Sequence, residues 1–237
     1  MNILAVESSG LVASAAVYED GRISAEYTLN YKMTHSETLM PAIEEICGKT
    51  GLDLGKLDYI ACSMGPGSFT GLRIGAATAK GLALALDKPI IPVPTLDSMA
   101  YNVYDTNKAV CPIMDARRHQ VYTAVYRWEK GELLRLTDYI AADIDEVMEK
   151  AASFGEEVIF LGDGTTVYRD KILSRKGFSI PPPHAVFQRA ALVAVLGERL
   201  AGRGVFVPGG EFKPFYIRKP QAERELEERK NGSGLNV

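Results

Sequence analysis

The stretch Cys62–Leu86, CSMGPGSFTGLRIGAATAKGLALAL, joins an apolar run to a glycine-rich turn and then to helix-forming text. That order seats phosphate in many nucleotide-binding folds, because free N–H groups and the helix dipole both face the anion. The residues themselves test the reading. A Walker loop needs a lysine directly after its last glycine, and here Lys80 lies well inside the following segment. A dinucleotide loop needs GxGxxG; Gly65 and Gly67 fit, but Thr70 holds the third place and Gly71 comes one residue late. A nucleophile elbow, GxSxG, fails because Pro66 stands where its first glycine belongs. The glycines read first as a sharp strand-to-helix turn. Anion binding at the helix start is the remaining alternative.

The text after the turn, Gly71–Leu86, is apolar nearly all round, with Arg73, Thr78 and Lys80 as its polar residues. A surface helix normally keeps a polar face, so this one is expected to be buried on two sides. One side suits its own sheet and the other a second helix or another subunit. A helix over about 35–50 is the natural neighbour. Thr34 followed by Glu37 reads as a capping box, Gly51 as a C-terminal stop, and Leu39, Met40, Ile43, Ile46 and Cys47 as a wide apolar stripe. The two helices together predict half of a bundle completed by a partner. Packing within the chain is the other reading of the same spacing.

The chain repeats itself. NILAVESSGLVASAAVYEDGRIS opens it, and VCPIMDARRHQVYTAVYRWEKGELL begins at Val110. Each is an apolar strand ending in an acid, then a loop, then a strand containing Ala-Val-Tyr. The acids Glu7 and Asp115 and the triplets at 16–18 and 124–126 recur at one common spacing, and Gly21 and Gly131 mark the hairpins. LDYIACSMGPGS has a counterpart in EEVIFLGDGTTV. Two matches in the same order indicate a duplication, each half being hairpin, helix, strand, helix. Ile3–Val6, Tyr59–Ser63 and Ile90–Val93 are short apolar runs of the kind buried in a sheet covered on both faces. The polar break at Thr106–Lys108 divides the halves into 1–106 and 107–220, and 221–237 is a charged, Gly/Ser/Asn-rich tail expected to be flexible.

Composition narrows the function classes. The net charge of −3 argues against a generic nucleic-acid coat. No run is long enough for a membrane helix or arranged as a signal peptide. Three isolated cysteines, Cys47, Cys62 and Cys111, fit a reducing cytoplasm. His35, His119 and His184 form no HxxxH pair, so no metal is expected. Glu7 and Asp115 lack the Asp-x-Gly-Thr text of nucleotide-hydrolysing folds and read as turn-holding residues or relics. Arg117, Arg118, Lys213, Arg218 and Lys219 form a possible basic contact for RNA.

The segments ILAVESS, THSETLMPAIEEI, GPGSFTGLRIGAATAKGLA, VPTLDSMA and PFYIRKPQAE closely resemble the bacterial TsaB family, also called YeaZ. The resemblance covers most of residues 1–105 and returns near the C-terminus. It implies a duplicated α/β fold of the actin-like sugar-kinase and chaperone ATPase superfamily, with two ribonuclease-H-like halves. It also implies a cytoplasmic role in making the threonylcarbamoyladenosine beside the tRNA anticodon. The implied role is a non-catalytic scaffold without cofactor, pairing with the catalytic paralogue TsaD. The small ATPase TsaE joins them, tRNA is met mainly through the complex, and the chain alone is a homodimer. The older glycoprotease label, or a divergent ATPase, is the alternative, with vestigial nucleotide binding as part of it. Glu7 departs from the Asp of the family text and adds one methylene there. Candidate interface residues are His35, Leu39, Met40, Ile43, Leu72, Arg73, Ala76 and Ala79.

Overall fold

A computed structural model describes residues 1–31 and 34–218. The expected flexible tail at 221–237, and Lys219, lie outside the described residues. The first half runs β1 (Asn2–Glu7), β2 (Ala13–Glu19), β3 (Arg22–Leu29), α1 (His35–Thr50), β4 (Tyr59–Gly65), α2 (Phe69–Leu86), β5 (Ile90–Pro94) and α3 (Thr95–Ala100). The second runs β6 (Ala109–Asp115), β7 (Gln120–Thr123), β8 (Tyr126–Glu129), β9 (Glu132–Arg135) and β10 (Ile140–Asp143). It continues through α4 (Ile144–Ala152), β11 (Val158–Leu161), α5 (Gly164–Leu173), β12 (Phe178–Ser179) and α6 (Ala190–Gly202).

The first sheet is ordered β3-β2-β1-β4-β5, with β1, β4 and β5 parallel and the β2–β3 hairpin antiparallel. The second places β10-β7-β6-β11-β12 in the same sequence of roles. The repeated text therefore builds a repeated sheet. Both hairpin turns use a left-handed pair, Asp20–Gly21 in the first half and Lys130–Gly131 in the second, the backbone that a two-residue hairpin loop requires. One difference separates the copies. The first Ala-Val-Tyr triplet lies inside continuous β2, whereas the second is broken at Ala124–Val125, splitting β7 from β8. β7 then pairs with β10, and β8 with β9.

Alternation along the strands assigns the layers. Leu4, Val6, Ala15 and Val17 face α1, while Ile60, Cys62 and Ile90 face α2. Ile3, Ala5, Ala16, Ala61, Ile91 and Val93 point the other way, onto α6. On the second sheet Cys111, Ile113, Val158 and Phe160 face α4 and α5, and Val110, Met114 and Leu161 face α3. The chain thus stacks five layers, with α3 and α6 between the sheets. Each fully buried Ile or Leu in them contributes about 1.5–3 kcal/mol. The last helix does not remain with the second half. It crosses back to cover the first sheet, and Phe212 follows it to pack against α2.

One local expectation changes. Thr34 is the residue before α1, but its hydroxyl donates to Glu37 Oε2 at 2.6 Å and caps no backbone N–H. The capping box is replaced by a side-chain pair. Gly51 does close the helix in a left-handed conformation, its N–H bonded to the Cys47 carbonyl. On α2, which begins at Phe69 with Ser68 accepting from the Gly71 N–H, the chain itself covers one side. Phe69, Arg73, Ala77 and Leu84 remain exposed on the other.

Candidate functional site

The glycines of the opening stretch serve the chain's own packing. A Cβ on Gly67 would lie 2.3 Å from the Ser9 carbonyl oxygen. One on Gly71 would lie 2.1 Å from the Ser8 carbonyl oxygen, and one on Gly75 2.4 Å from Ser8 Oγ. Spaced four apart, they clear one row along which the start of α2 presses on the turn after β1. Ser68 N–H donates to the Ser9 carbonyl at 2.7 Å, and Gly71 N–H to Ser68 Oγ at 3.3 Å. Ser8 Oγ donates to the Gly71 carbonyl at 2.9 Å. Two donors that a phosphate cradle would offer are engaged inside the protein.

Glu7 lies beneath this turn with no exposed surface. One carboxyl oxygen accepts from the Ser9 N–H at 2.6 Å and the Ser9 hydroxyl at 2.5 Å, and the other accepts from the Ser63 hydroxyl. Burial pushes the carboxyl above its ordinary range, against the hydrogen bonds from Ser63 and Ser9, which pull it down. Asp115 holds the equivalent turn in the second half, accepting the Arg117 N–H at 2.8 Å, but it is exposed. Each acid accepts the N–H two residues on, the turn-holding role expected of both.

Between the halves opens a cleft of about 710 Å³. Ser9–Leu11 and Pro66–Thr70 line it from the first half and the β6–β7 loop from the second, with Tyr216 against Phe69 and Arg218 against Gln120. Asp163, buried where it lines the cleft, accepts the Asp115 N–H at 3.0 Å. Desolvation raises its carboxyl to about 6, opposed by that backbone hydrogen bond. Arg117, Arg118 and His119 are three successive residues in left-handed backbone, which disfavours each by about 1–2 kcal/mol in a non-glycine residue. Arg218 donates to Gln120 Oε1. The structure therefore brings together Arg117, Arg118 and Arg218 from distant parts of the chain; Lys213 does not line the cleft.

The expected interface residues divide sharply. Leu39, Ile43, Leu72, Ala76 and Ala79 are buried in the chain's own core, so they cannot meet a partner without unfolding. The reason is that α1 and α2 turn their longest apolar rows onto the first sheet. His35 points inward, its Nε2 donating to the Gly10 carbonyl at 2.8 Å. Met40 and Arg73 are exposed. Phe69, Ala77 and Leu84 join them on the outer face, Leu84 with 87% of its surface free. Arg73 lies over the Phe69 ring at 5.2 Å. Their signal in the sequence was their position off the core row of α2. Among the described residues, no group of three or more His, Cys, Asp or Glu stands together, and no helix is long and apolar enough to cross a membrane.

Two ribonuclease-H-like sheets in tandem, with a cleft between them, define a protein of the actin-like ATPase fold. A solved structure of the activator of 2-hydroxyisocaproyl-CoA dehydratase from Clostridium difficile shares that fold at TM-score 0.51 and 12% identity, covering 91% of this chain and 99% of its own. YeaZ from Pseudomonas aeruginosa matches at TM-score 0.77 and 25% identity, covering 91% and 99%. A family model described as TsaD, tRNA N6-adenosine threonylcarbamoyltransferase, matches residues 22–201. The tRNA threonylcarbamoyladenosine biosynthesis protein TsaB of Bacillus subtilis is 32% identical over 94% of this chain and 96% of its own. Its Escherichia coli namesake is 28% identical over 95% and 98%. The chain belongs to this TsaB family of tRNA threonylcarbamoyladenosine biosynthesis proteins.

Proposed function

We propose that this chain is the non-catalytic partner of a TsaD enzyme in installing threonylcarbamoyl on the adenosine next to the tRNA anticodon. The observation that carries the reading is the outer face of α1 and α2. Met40, Phe69, Ala77 and Leu84 are apolar and open to water, and a shallow hollow on α2 is lined by Phe69, Thr70, Arg73, Ile74 and Ala77. An apolar helix face left wet costs about 25 cal/mol per Å², and a partner helix pair would cover it. In the absence of TsaD a second copy covers the same face about a two-fold axis. TsaE joins the assembled pair, and the work takes place in the cytoplasm, where tRNA is. Glu7 supports a role without chemistry, since its carboxyl is sealed beneath α2 and occupied by Ser9 and Ser63.

Co-purification with the same organism's TsaD, followed by a tRNA modification assay with and without this chain, tests the proposal. Leu84→Glu and Phe69→Glu should keep the fold by circular dichroism and lose both TsaD pairing and modification. Folded variants that pair at wild-type affinity would refute the α1–α2 face. Light scattering should show a dimer of the isolated chain at micromolar concentration and a monomer for Leu84→Glu.

The competing reading of the cleft is a divergent ATPase or peptidase of the same fold with a retained nucleotide site. ATP or peptide turnover by the purified chain that vanishes in Asp163→Ala would establish it in place of the first.

A further inference from the structure

We propose that the mouth of the cleft between the two sheets docks the sugar-phosphate backbone of an RNA strand. Its phosphodiester oxygens would be held by the guanidinium groups of Arg117, Arg118 and Arg218. This rests on the reading that the chain works on tRNA, and it adds a direct contact to it.

The geometry supports an extended anion at the rim. Arg117 and Arg118 are exposed on the β6–β7 loop and, among the described residues, form no ion pair. Arg218 comes from the far end of the chain and is held beside them by Gln120 and the Tyr122 ring. Guanidinium groups suit phosphate because the planar fork donates two parallel hydrogen bonds. The opposite wall offers the Ser68 and Thr70 hydroxyls at the start of the 18-residue α2. Tyr216 and Phe69, whose rings lie 5.1 Å apart, present aromatic surface there on which an unpaired base can stack.

The same cleft argues against a compact polyphosphate. Asp115 and Asp163 line it as well. A triphosphate pushed to the floor would meet both carboxylates, and the Ser68 and Gly71 N–H groups are already taken. A diester strand carries its charges singly and spaced along the chain. It can cross the rim and touch the arginines while leaving Asp163 below. The overall charge of −3 is no obstacle, because Coulombic contact acts within about 10 Å at ordinary salt.

The test uses the full chain and an unmodified transcript of a tRNA bearing adenosine beside its anticodon. Binding is followed by fluorescence anisotropy from about 50 to 200 mM salt, the range in which phosphate contacts reveal themselves. Arg117→Gly with Arg118→Gly removes two charges and, because glycine enters the left-handed backbone found there without steric penalty, keeps the loop unstrained. The double variant should bind roughly tenfold or more weakly, with a log–log salt slope shallower by about 1.4–1.8. Arg218→Ala should give a smaller loss, and Arg203→Ala, on the α6 end away from the cleft, none. A double variant matching wild type in affinity and slope overturns the proposal, as does wild-type tRNA binding too weak to detect at 50 mM salt. ATP or ADP displacing the tRNA at micromolar concentration overturns it in favour of a small-nucleotide site. TsaD pairing is measured on the same variants and should be unchanged, whereas folded α1–α2 variants that keep wild-type TsaD pairing would sink the scaffold reading and leave this one standing.

Discussion

The turn after β1 and the turn after β6 occupy the same place in two copies of one sheet, and they have opposite fates. Both follow a strand that ends in an acid, and both are pinned by that acid through the N–H two residues on. Around Glu7 the glycines of α2 bring the helix onto the turn, His35 bonds to the Gly10 carbonyl, and water is excluded. Around Asp115 nothing comparable descends. Gly164 at the start of α5 stands 3.0 Å, by its would-be Cβ, from the Ile113 carbonyl oxygen, a strand position below the loop. The loop beyond carries Arg117, Arg118 and His119 exposed in left-handed backbone, the two arginines lining the cleft. The copies differ less in fold than in what the following helix presses on. A row of glycines closes one turn, and the other stays open to water.

Replacing a glycine in that row should break the comparison most severely. Gly71→Val places carbon inside contact distance of backbone, which no side-chain rotation relieves. We expect a loss of about 3 kcal/mol or more, read as a fall in the urea midpoint, whereas Gly164→Ala should cost about 1 kcal/mol. A Gly71→Val midpoint equal to wild type would show that the first turn is not sealed.

The acids come next. Glu7→Ala leaves the Ser9 N–H and the Ser63 hydroxyl buried without their acceptor and should cost about 2–3 kcal/mol. Asp115→Ala, in the open copy, should cost under about 1 kcal/mol. Equal losses in denaturant titrations would erase the distinction between the turns.

Proton binding sharpens it further. A carboxyl with a folded pKa raised above its unfolded value favours the folded state most at low pH, and that contribution fades as pH rises between the two values. For Asp163 the window runs from 3.8 to about 6, and the change across it is on the order of 1–3 kcal/mol. Asp163→Asn should flatten the stability profile between those values, and Glu7→Gln should do the same from 4.5 upward. Thermal melts across pH decide it, since an unchanged profile in both variants would mean that neither carboxyl is effectively desolvated.

The smallest effect belongs to the hairpins, where the copies agree. Gly21→Ala and Gly131→Ala each force alanine into left-handed backbone, with nothing within 4 Å of the new methyl at Gly21. Each should lose about 1 kcal/mol. A difference of more than that between them would place the asymmetry of the copies in the hairpins as well.

Much of this is legible in the residues. Strands such as Ile3–Val6 and Tyr59–Ser63 announce themselves because both faces are covered, leaving unbroken apolar text. Gly51, Gly21 and Gly131 mark turns because no other residue enters that backbone so freely. The repeat survives in acids and glycines because those positions carry backbone geometry. What escapes is direction. The spacing of Leu39, Ile43, Leu72, Ala76 and Ala79 identifies an apolar row on each helix but not that the row faces the chain's own sheet. The Ala124–Val125 break is hidden by a triplet that matches its copy letter for letter. The meeting of Arg117 with Arg218 depends on α6 returning to the first sheet, which no local pattern encodes.

That return has a consequence for how the protein is made. The ribosome delivers β1–β5 and α1–α3 first, ending at Ala100, yet the helix that covers the inner face of their sheet begins only at Ala190. Until then Ile3, Ala5, Ala61 and Val93 have no lasting cover, so the nascent first half is an aggregation risk that a chaperone or the second half must shield. Emergence of α6, rather than completion of the first lobe, is the moment at which the N-terminal sheet can become native.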